Sequence, residues 1–431
     1  MAAVRRHSFI MRSAAVVIII GLLTILSSGC MTQVKRNLAE TAASRAIVGV
    51  VSDYGHDPSK IVVVAFKEEN GTFEPYNYTH LNSFGRFVLR VQTNQTYIVM
   101  AFTDFNNNLQ PDDGGLVGIY ADRIVADNSA EVYSIRLSLK AEITIPVGLK
   151  EALPKLTTLV RKPLPIAIGE IADLSDERFS AENGKRGLWE FFDFITNTGI
   201  GVYFLEPYDP AKIPVLFVNG AGGSPQDWSY FFKHLDRNKY QPWFFLYPSG
   251  ASLESSASTL NSIITRLHQK YNFSQLYVTA HSMGGLLSRA FINKSVFDDK
   301  SEYIKLFVSL STPWHGHSGA KYGVDIAPAT IPSWIDMVPG SEFQNSIFSK
   351  TLGSAVDYYL LFGYRGGPSV FSEYNDGTVS LSSQLYFQAQ REAKKIMGFN
   401  EGHISILANK EVFNSYCDIL ERTYTLQNGR R

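Results

Sequence analysis

The sequence predicts an all-β domain followed by a larger α/β domain built on a mostly parallel sheet. Three observations predict it. The chain has 431 residues, more than one ordinary domain needs. Between about residues 45 and 140, apolar side chains recur with period two and no helical stretch interrupts them. After about residue 166, short apolar runs alternate with stripes of helical period, the grammar of strand, loop and helix.

Composition narrows the function classes. Hydrophobic residues are 45% and charged residues 19%, close to an average soluble protein, which excludes a disordered chain and a multi-span membrane protein. Lys+Arg and Asp+Glu are 40 each, so no basic excess points to nucleic acid. The two cysteines are Cys30 and Cys417, and the first sits in the leader, which excludes a disulfide framework.

The leader reads as an address. Arg5, Arg6 and Arg12 precede an apolar run of 13 residues at 14–26. A spanning helix needs ~20 residues, whereas a signal h-region needs roughly 7–15. Ser27, Ser28 and Gly29 then lead into Cys30. This resembles a bacterial lipobox, which implies removal of residues 1–29 and lipidation of Cys30. The match is partial, because Ser27 stands where the pattern usually has Leu and Leu26 lies one place further out. An ordinary secretory signal or an uncleaved anchor is the alternative; either way the bulk of the chain lies outside the cytoplasm. Met31 follows the cysteine instead of the Asp that retains lipoproteins at the inner membrane. The resemblance therefore implies a lipid-anchored protein of the bacterial cell envelope, at the outer membrane.

Residues 30–44 are polar and Ala-rich and read as a tether. In the 45–140 domain, Tyr133, Ile135, Leu137 and Leu139 alternate with polar residues, as do Phe87, Leu89 and Val91, while 61–66 and 97–102 read as buried strands. The expectation is a small antiparallel β-sandwich. One of its loops places Asp104, Asn106, Asn108 and Asp112 at positions 1, 3, 5 and 9 of a calcium-loop template. Leu109 replaces the template's glycine at position 6 and Gly115 its acid at position 12, so the rival is a plain polar hairpin. Any calcium there is structural. The stretch 141–165, with Pro146, Pro154, Pro163 and Pro165, reads as a linker.

The C-terminal domain, 166–425, carries the chemistry. The apolar run ending at Thr279 enters Ala280-His281-Ser282-Met283-Gly284-Gly285 and then a helical stripe. A strand turning sharply into a helix needs nearly side-chain-free positions around the serine, which then projects with its hydroxyl exposed. The helix N-terminus aims backbone N–H groups at the same place. His281 adjoins the serine on the strand side and reads as structural. With this motif the chain resembles the α/β-hydrolase superfamily, and within it the bacterial lipase and esterase type, over about residues 160–425.

The resemblance implies the rest of a serine hydrolase site. The loop Asn219-Gly-Ala-Gly-Gly-Ser224 resembles the family's His-Gly loop, so the oxyanion donors are the N–H groups of Ala221 and Met283. Asn219 stands where the family usually has His, which puts loop packing in question more than catalysis. The order in this fold is Ser, acid, His. Of nine histidines, His403 follows every plausible acid near the C-terminus. Asp376, in Asn375-Asp-Gly-Thr-Val379, resembles the family's acid loop, with Glu373 and Glu401 as rivals. His315 and His317 precede the acid and are expected to line or support the site. The segment from 314 to about 369 sits where this fold inserts a cap, and its apolar residues suit an acyl pocket or a plain core equally.

The expected function is cleavage of carboxylic esters through Ser282, Asp376 and His403, on an ester or lipid substrate and with no cofactor for catalysis. The same residues serve an acyltransferase or a thioesterase. A surface binding protein on a hydrolase scaffold is the rival from another class.

Overall fold

The structure is a computed structural model. It describes residues 32–428 apart from 54, 56, 82–84, 128–131, 160–165, 328 and 367–373. The signal segment, Cys30 and Glu373 lie outside the described residues. Among the described residues no helix is long and apolar enough to cross a membrane.

Residues 32–42 form a helix, α1, where the sequence suggested a tether. Ala, Gln, Lys and Arg favour helix, and Val34 and Asn37, three apart on one face, are fully buried.

The β domain has two sheets. One orders β4 (Arg86–Gln92), β1 (Ser44–Ser52) and β8 (Val132–Ser138). The other orders β3 (Thr72–His80), β2 (Ile61–Glu69), β5 (Gln95–Thr103) and β6 (Val117–Ile119), with β7 (Ile124–Ala126) also on β5. Ile47, Leu89 and Ile135 of the first sheet share a core with Val63, Val99 and Ala101 of the second, which makes a sandwich. The expectation of a wholly antiparallel arrangement is corrected at one pair: β8 runs parallel to β1. Period-two patterning reports which face a residue takes, not the direction of the neighbouring strand.

The run 61–66 is buried on both faces. Ile61, Val63 and Ala65 face the sandwich core. Val62, Val64 and Phe66 pack instead with Leu149 and Ala152 of α2 (Val147–Ala152) and with Leu153 and Leu156 of the 3-10 helix that follows. The supposed linker therefore starts as part of this domain and covers a sheet face that water would otherwise meet.

In the candidate calcium loop, Asp104 accepts the N–H groups of Asn108 (2.9 Å) and Leu109 (3.0 Å), Asn106 accepts from Asn108 and Asn108 from Gln110. Asp112 accepts from Phe105 at 2.9 Å. Leu109 adopts φ +59°, the left-handed backbone that the template's glycine normally supplies. Among the described residues no group of three His, Cys, Asp or Glu side chains gathers as a metal ligand set.

The C-terminal domain is one eight-stranded sheet. In chain order its strands are β9 (Ile166–Ile171), β10 (Ile200–Phe204), β11 (Ile213–Val218), β12 (Tyr240–Leu246), β13 (Leu276–His281), β14 (Ile304–Leu310), β15 (Asp357–Gly363) and β16 (Lys395–Phe399). In space the order is β16-β15-β14-β13-β11-β12-β10-β9. The pairs from β12 through β11 to β16 are parallel and β10 runs antiparallel to β12. The mostly parallel sheet is what the resemblance implies, and the chain has the α/β-hydrolase fold. After β11 the chain goes to one side, to β12, and then returns to the other, to β13. Crevices for ligands open outside the carboxyl ends of strands at such a reversal. The strands β11, β12 and β13 are buried throughout, as parallel strands covered on both faces must be.

The helices of this domain begin with α3 (Ala181–Trp189) and α4 (Phe191–Asn197), which precede β10. Next come α5 (Ser229–His234), α6 (Leu253–Tyr271) and α7 (Met283–Ile292). Three short helices, α8 (Ser318–Ile326), α9 (Pro332–Asp336) and α10 (Glu342–Ile347), lie between β14 and β15 at the place expected for a cap. The expected end of that insertion, 369, is too late, because 357–363 form β15 in the middle of the parallel order. The chain closes with α11 (Leu381–Gln384), α12 (Phe387–Glu392) and α13 (Lys410–Asn428).

A buried ion pair joins α7 to α12, and its arginine also holds the end of the insertion. Arg289, 2% exposed, pairs with Glu392 of α12 at 2.7 Å and donates to the carbonyl of Ile347 at the end of α10 at 3.0 Å. Removing one partner of such a pair strands the other charge in the core, at a cost of about 3–5 kcal/mol. Arg289→Ala should lower unfolding stability by that order in a urea titration, and Glu392→Gln should cost less because an amide keeps an acceptor for the guanidinium.

Candidate active site

Ser282 occupies the turn between β13 and α7 with φ +53° and ψ −132°, a strained conformation for a residue with a Cβ. Strain of this kind persists only where the surroundings over-determine it. The glycines show what does so. A Cβ on Gly284 would come within 2.5 Å of the Asn219 carbonyl oxygen, and one on Gly285 would strike the Thr312 side chain. A Cβ on Gly220 would come within 2.7 Å of the Ser282 Cβ. The glycines are thus required by the close approach of the β11 loop and the Thr312 loop to the elbow, besides the narrowness of the turn itself.

Three loops from three strand ends bring the predicted side chains together. Ser282 Oγ lies 2.9 Å from His403 Nε2, and His403 Nδ1 lies 2.7 Å from Asp376 Oδ2. The Asp376 loop follows β15 and the His403 loop follows β16. Asp376 Oδ1 accepts the N–H groups of Val379 (2.7 Å) and Thr378 (3.0 Å), and the His403 N–H donates to the Asp376 carbonyl at 2.7 Å. The two loops therefore hold each other. All three side chains are buried, Asp376 to 2% exposure. Burial pushes the Asp376 carboxyl up, but its hydrogen bond and attraction to His403 and the two N–H groups outweigh that and hold it below the usual carboxylate range. It is therefore ionised at neutral pH and accepts from Nδ1–H, which leaves Nε2 free to take the serine proton.

The rival acid Glu401 is occupied elsewhere. Its carboxylate takes Arg365 Nη2 and Asn409 Nδ2, each at 2.8 Å, and the Ser405 hydroxyl. It braces the His403 loop from outside. His315 stacks on Tyr386 at 4.5 Å, and His317 Nε2 donates to the Thr378 carbonyl at 2.9 Å. His317 thus supports the acid loop and His315 packs beyond it, and neither is bonded to Ser282.

The predicted oxyanion donors sit where backbone N–H groups are unspent. Among the described residues no acceptor takes the N–H of Ala221 or of Met283. Met283 opens α7, whose positive end faces the same space. The loop around Ala221 is held rigid. Asn219 Nδ2 donates to the Gly220 (3.1 Å) and Gly223 (2.8 Å) carbonyls, Tyr247 donates to the Asn219 carbonyl, and Ser249 accepts from Gly222 N–H. The replacement of the family's His by Asn219 leaves a fully braced loop.

His281 does more than fill space. Its Nε2 lies 2.7 Å from the carbonyl oxygen of His403, and the two rings sit 4.6 Å apart. A carbonyl only accepts, so Nε2 carries the proton. Burial drives the His281 pKa down to about 3, with repulsion from His403 adding to it, so the ring stays neutral. It is a positioning residue for His403. The sequence placed it beside the serine; the cross-strand reach to residue 403 was not readable there.

Parts of the chain are similar to known proteins. The lecithin:cholesterol acyltransferase family matches residues 251–322, a stretch that contains Ser282 and stops short of Asp376 and His403. No curated protein matches the chain. Among solved structures, the mature Bacillus licheniformis lipase BlEst2 is 20% identical, covers 51% of this chain and 97% of its own, and has a TM-score of 0.42. A Listeria innocua gene product is 14% identical over 48% and 92%, with a TM-score of 0.37. The Legionella pneumophila phospholipase PlaB is 14% identical over 40% and 44%, with a TM-score of 0.34.

The His281 contact sets a pH dependence. A histidine whose folded pKa lies below its unfolded value stabilises the fold fully above about pH 6.5, and that stability is lost as pH falls toward about 3. His281→Gln should flatten the fall in melting temperature across that window. His281→Ala should also cost about tenfold to a hundredfold in turnover, because His403 loses its clamp. Unchanged turnover together with an unchanged pH slope counts against the clamp.

Proposed function

We propose that this chain, an α/β-hydrolase of the lipase and esterase type, hydrolyses carboxylic esters of lipids. The observation that carries the reading is the Ser282–His403–Asp376 hydrogen-bond chain, at 2.9 and 2.7 Å, at the strained turn. Ser282 Oγ attacks the acyl carbonyl carbon while His403 Nε2 takes its proton. The N–H groups of Ala221 and Met283 hold the oxyanion. The tetrahedral adduct collapses, its C–O bond to the alcohol breaks, and His403 gives the proton to the leaving oxygen. Water, deprotonated by His403, then attacks the acyl-serine and releases the acid, and Ser282 recovers its proton. Asp376 keeps the imidazole oriented and stabilises its cation. No cofactor enters these steps.

A second reading is supported by the similarity of residues 251–322 to an acyltransferase family. The acyl-serine is common to both, and only the acceptor differs, water or another alcohol. Product analysis with a long-chain alcohol present separates them, since transfer yields a new ester.

In the leader, the resemblance of the segment ending at Cys30 to a lipobox supports a lipid anchor at Cys30 and a place in the cell envelope, at the outer membrane. Any calcium in the loop with Asp104, Asn106, Asn108 and Asp112 stabilises the β domain and leaves the ester chemistry untouched.

A fluorophosphonate probe should label Ser282, and Ser282→Ala should lose labelling and several powers of ten in rate while keeping its fold. Asp376→Asn should be nearly as severe, since an amide favours the wrong imidazole tautomer; Glu401→Gln should be mild. An unlabelled Ser282 returns the non-catalytic alternative.

For the β domain, calcium should raise the melting temperature of the full chain by mass action. Asp104→Asn should abolish that rise, and a chelator should leave ester hydrolysis unchanged. No calcium effect leaves a plain hairpin.

A further inference from the structure

The N-terminal helix is docked, and what it docks against is the first turn of α4. Asn37 of α1 is fully buried. Its Oδ1 accepts the N–H groups of Phe192 (2.6 Å) and Asp193 (3.1 Å) in the first turn of α4. Its Nδ2 turns back to the Gln33 carbonyl at 2.9 Å. Gln33 Nε2 donates to Asp193 at 2.7 Å, and Arg36 pairs with the same carboxylate. A buried side chain capping another helix is a specific joint, since its loss strands two N–H groups.

From α4 the contacts continue to the chemistry. The preceding helix, α3, lies against the oxyanion loop so closely that a Cβ on Gly184 would come within 2.5 Å of the Gly223 carbonyl oxygen. Gly250 N–H donates to the Gly187 carbonyl at 2.9 Å, which fixes α3 to the segment carrying Ser249. Trp189 at the end of α3 meets Trp334 of the inserted helix α9 edge to face at 5.7 Å. The path from α1 through α4 and α3 to the loop of Ala221 and to the insertion is therefore unbroken packed structure.

The reach of the chain decides the consequence. A free tether over residues 30–44 would let the enzyme stand off by ~50 Å, at ~3.6 Å per residue. With α1 docked from Thr32, Met31 alone separates Cys30 from the folded body, and the reach falls to ~7 Å. We infer that α1 seats the α3 side of the catalytic cleft directly against the bilayer that holds the acylated Cys30, so that the enzyme acts on ester lipids of that same leaflet. This rests on the readings of Cys30 as lipidated and Ser282 as nucleophile. The partner is a lipid surface, and distance from it sets which ester lipids are reached.

Inserts of 5 and 20 Gly/Ser residues between Met31 and Thr32 test it without touching the site. Such linkers span roughly 12 and 25 Å by the flexible-chain estimate of 5–6 Å times the square root of length. The full chain and both inserts are expressed with their native signal, reconstituted in phosphatidylethanolamine–phosphatidylglycerol vesicles, and assayed on a vesicle-embedded long-chain ester and on water-soluble nitrophenyl butyrate. The expected result is a graded loss on the embedded ester, at least fivefold for the longer insert, with the soluble ester unchanged. Wild-type rates on both substrates overturn the inference. A parallel loss on both also overturns it, because the site and not its seating is then affected. Mass spectrometry of the mature N-terminus separates the premise: an unacylated N-terminus removes the anchoring reading and this inference with it, while soluble-ester activity reports on Ser282 independently.

Discussion

The left-handed backbone of Ser282 is the constraint on which the domain depends. A serine with φ +53° is held only because β11, β13 and the Thr312 loop converge on it, and their convergence is possible only with glycine at 220, 284 and 285. That geometry puts the hydroxyl at the mouth of the sheet reversal and the first N–H groups of α7 behind it. The strain is a local cost borne by a sheet whose central strands are wholly buried, where the apolar burial that stabilises the fold is greatest.

The acid and base are arranged by mutual dependence more than by rigid scaffolding. The His403 loop hangs from Asp376 through a backbone bond and a side-chain bond, from His281 through its carbonyl, and from the Glu401–Arg365–Ser405 cluster on its far side. The backbone contacts fix the loop, and the side-chain bonds to Asp376 and Ser282 fix the imidazole itself. Its two ring nitrogens are then spoken for, one by Asp376 and one by Ser282. In the same way the oxyanion loop is braced by its own Asn219, by Tyr247 and by Ser249, so its N–H groups need not reorganise when charge develops.

The inserted segment and the N-terminal helix attach to the same neighbourhood by different means. Arg289, paired with Glu392 of α12, holds the end of the insertion by a hydrogen bond to the Ile347 carbonyl, whereas Trp334 and Trp189 meet through apolar rings. Asn37 holds α4 by capping it. These joints are polar and specific at one end and apolar at the other.

Local chemistry was legible in the sequence and long-range partnership was not. The elbow glycines, the alternation of strands with helices and the order Ser282, Asp376, His403 are local patterns, because backbone sterics and periodicity act over a few residues. The direction of β8 was invisible, since alternation is the same in either direction. The helices after Pro146 were hidden because prolines mark their starts as readily as a linker. The end of the insertion was misplaced because a short apolar strand, 357–363, looks like any apolar run until it pairs with β14 and β16. Only the tertiary structure decided that Glu401 faces Arg365 and not His403, that His281 reaches a carbonyl 122 residues away, and that residues 32–42 are fastened to α4. In each case the deciding contact joins residues far apart in the chain, and no local preference carries that information.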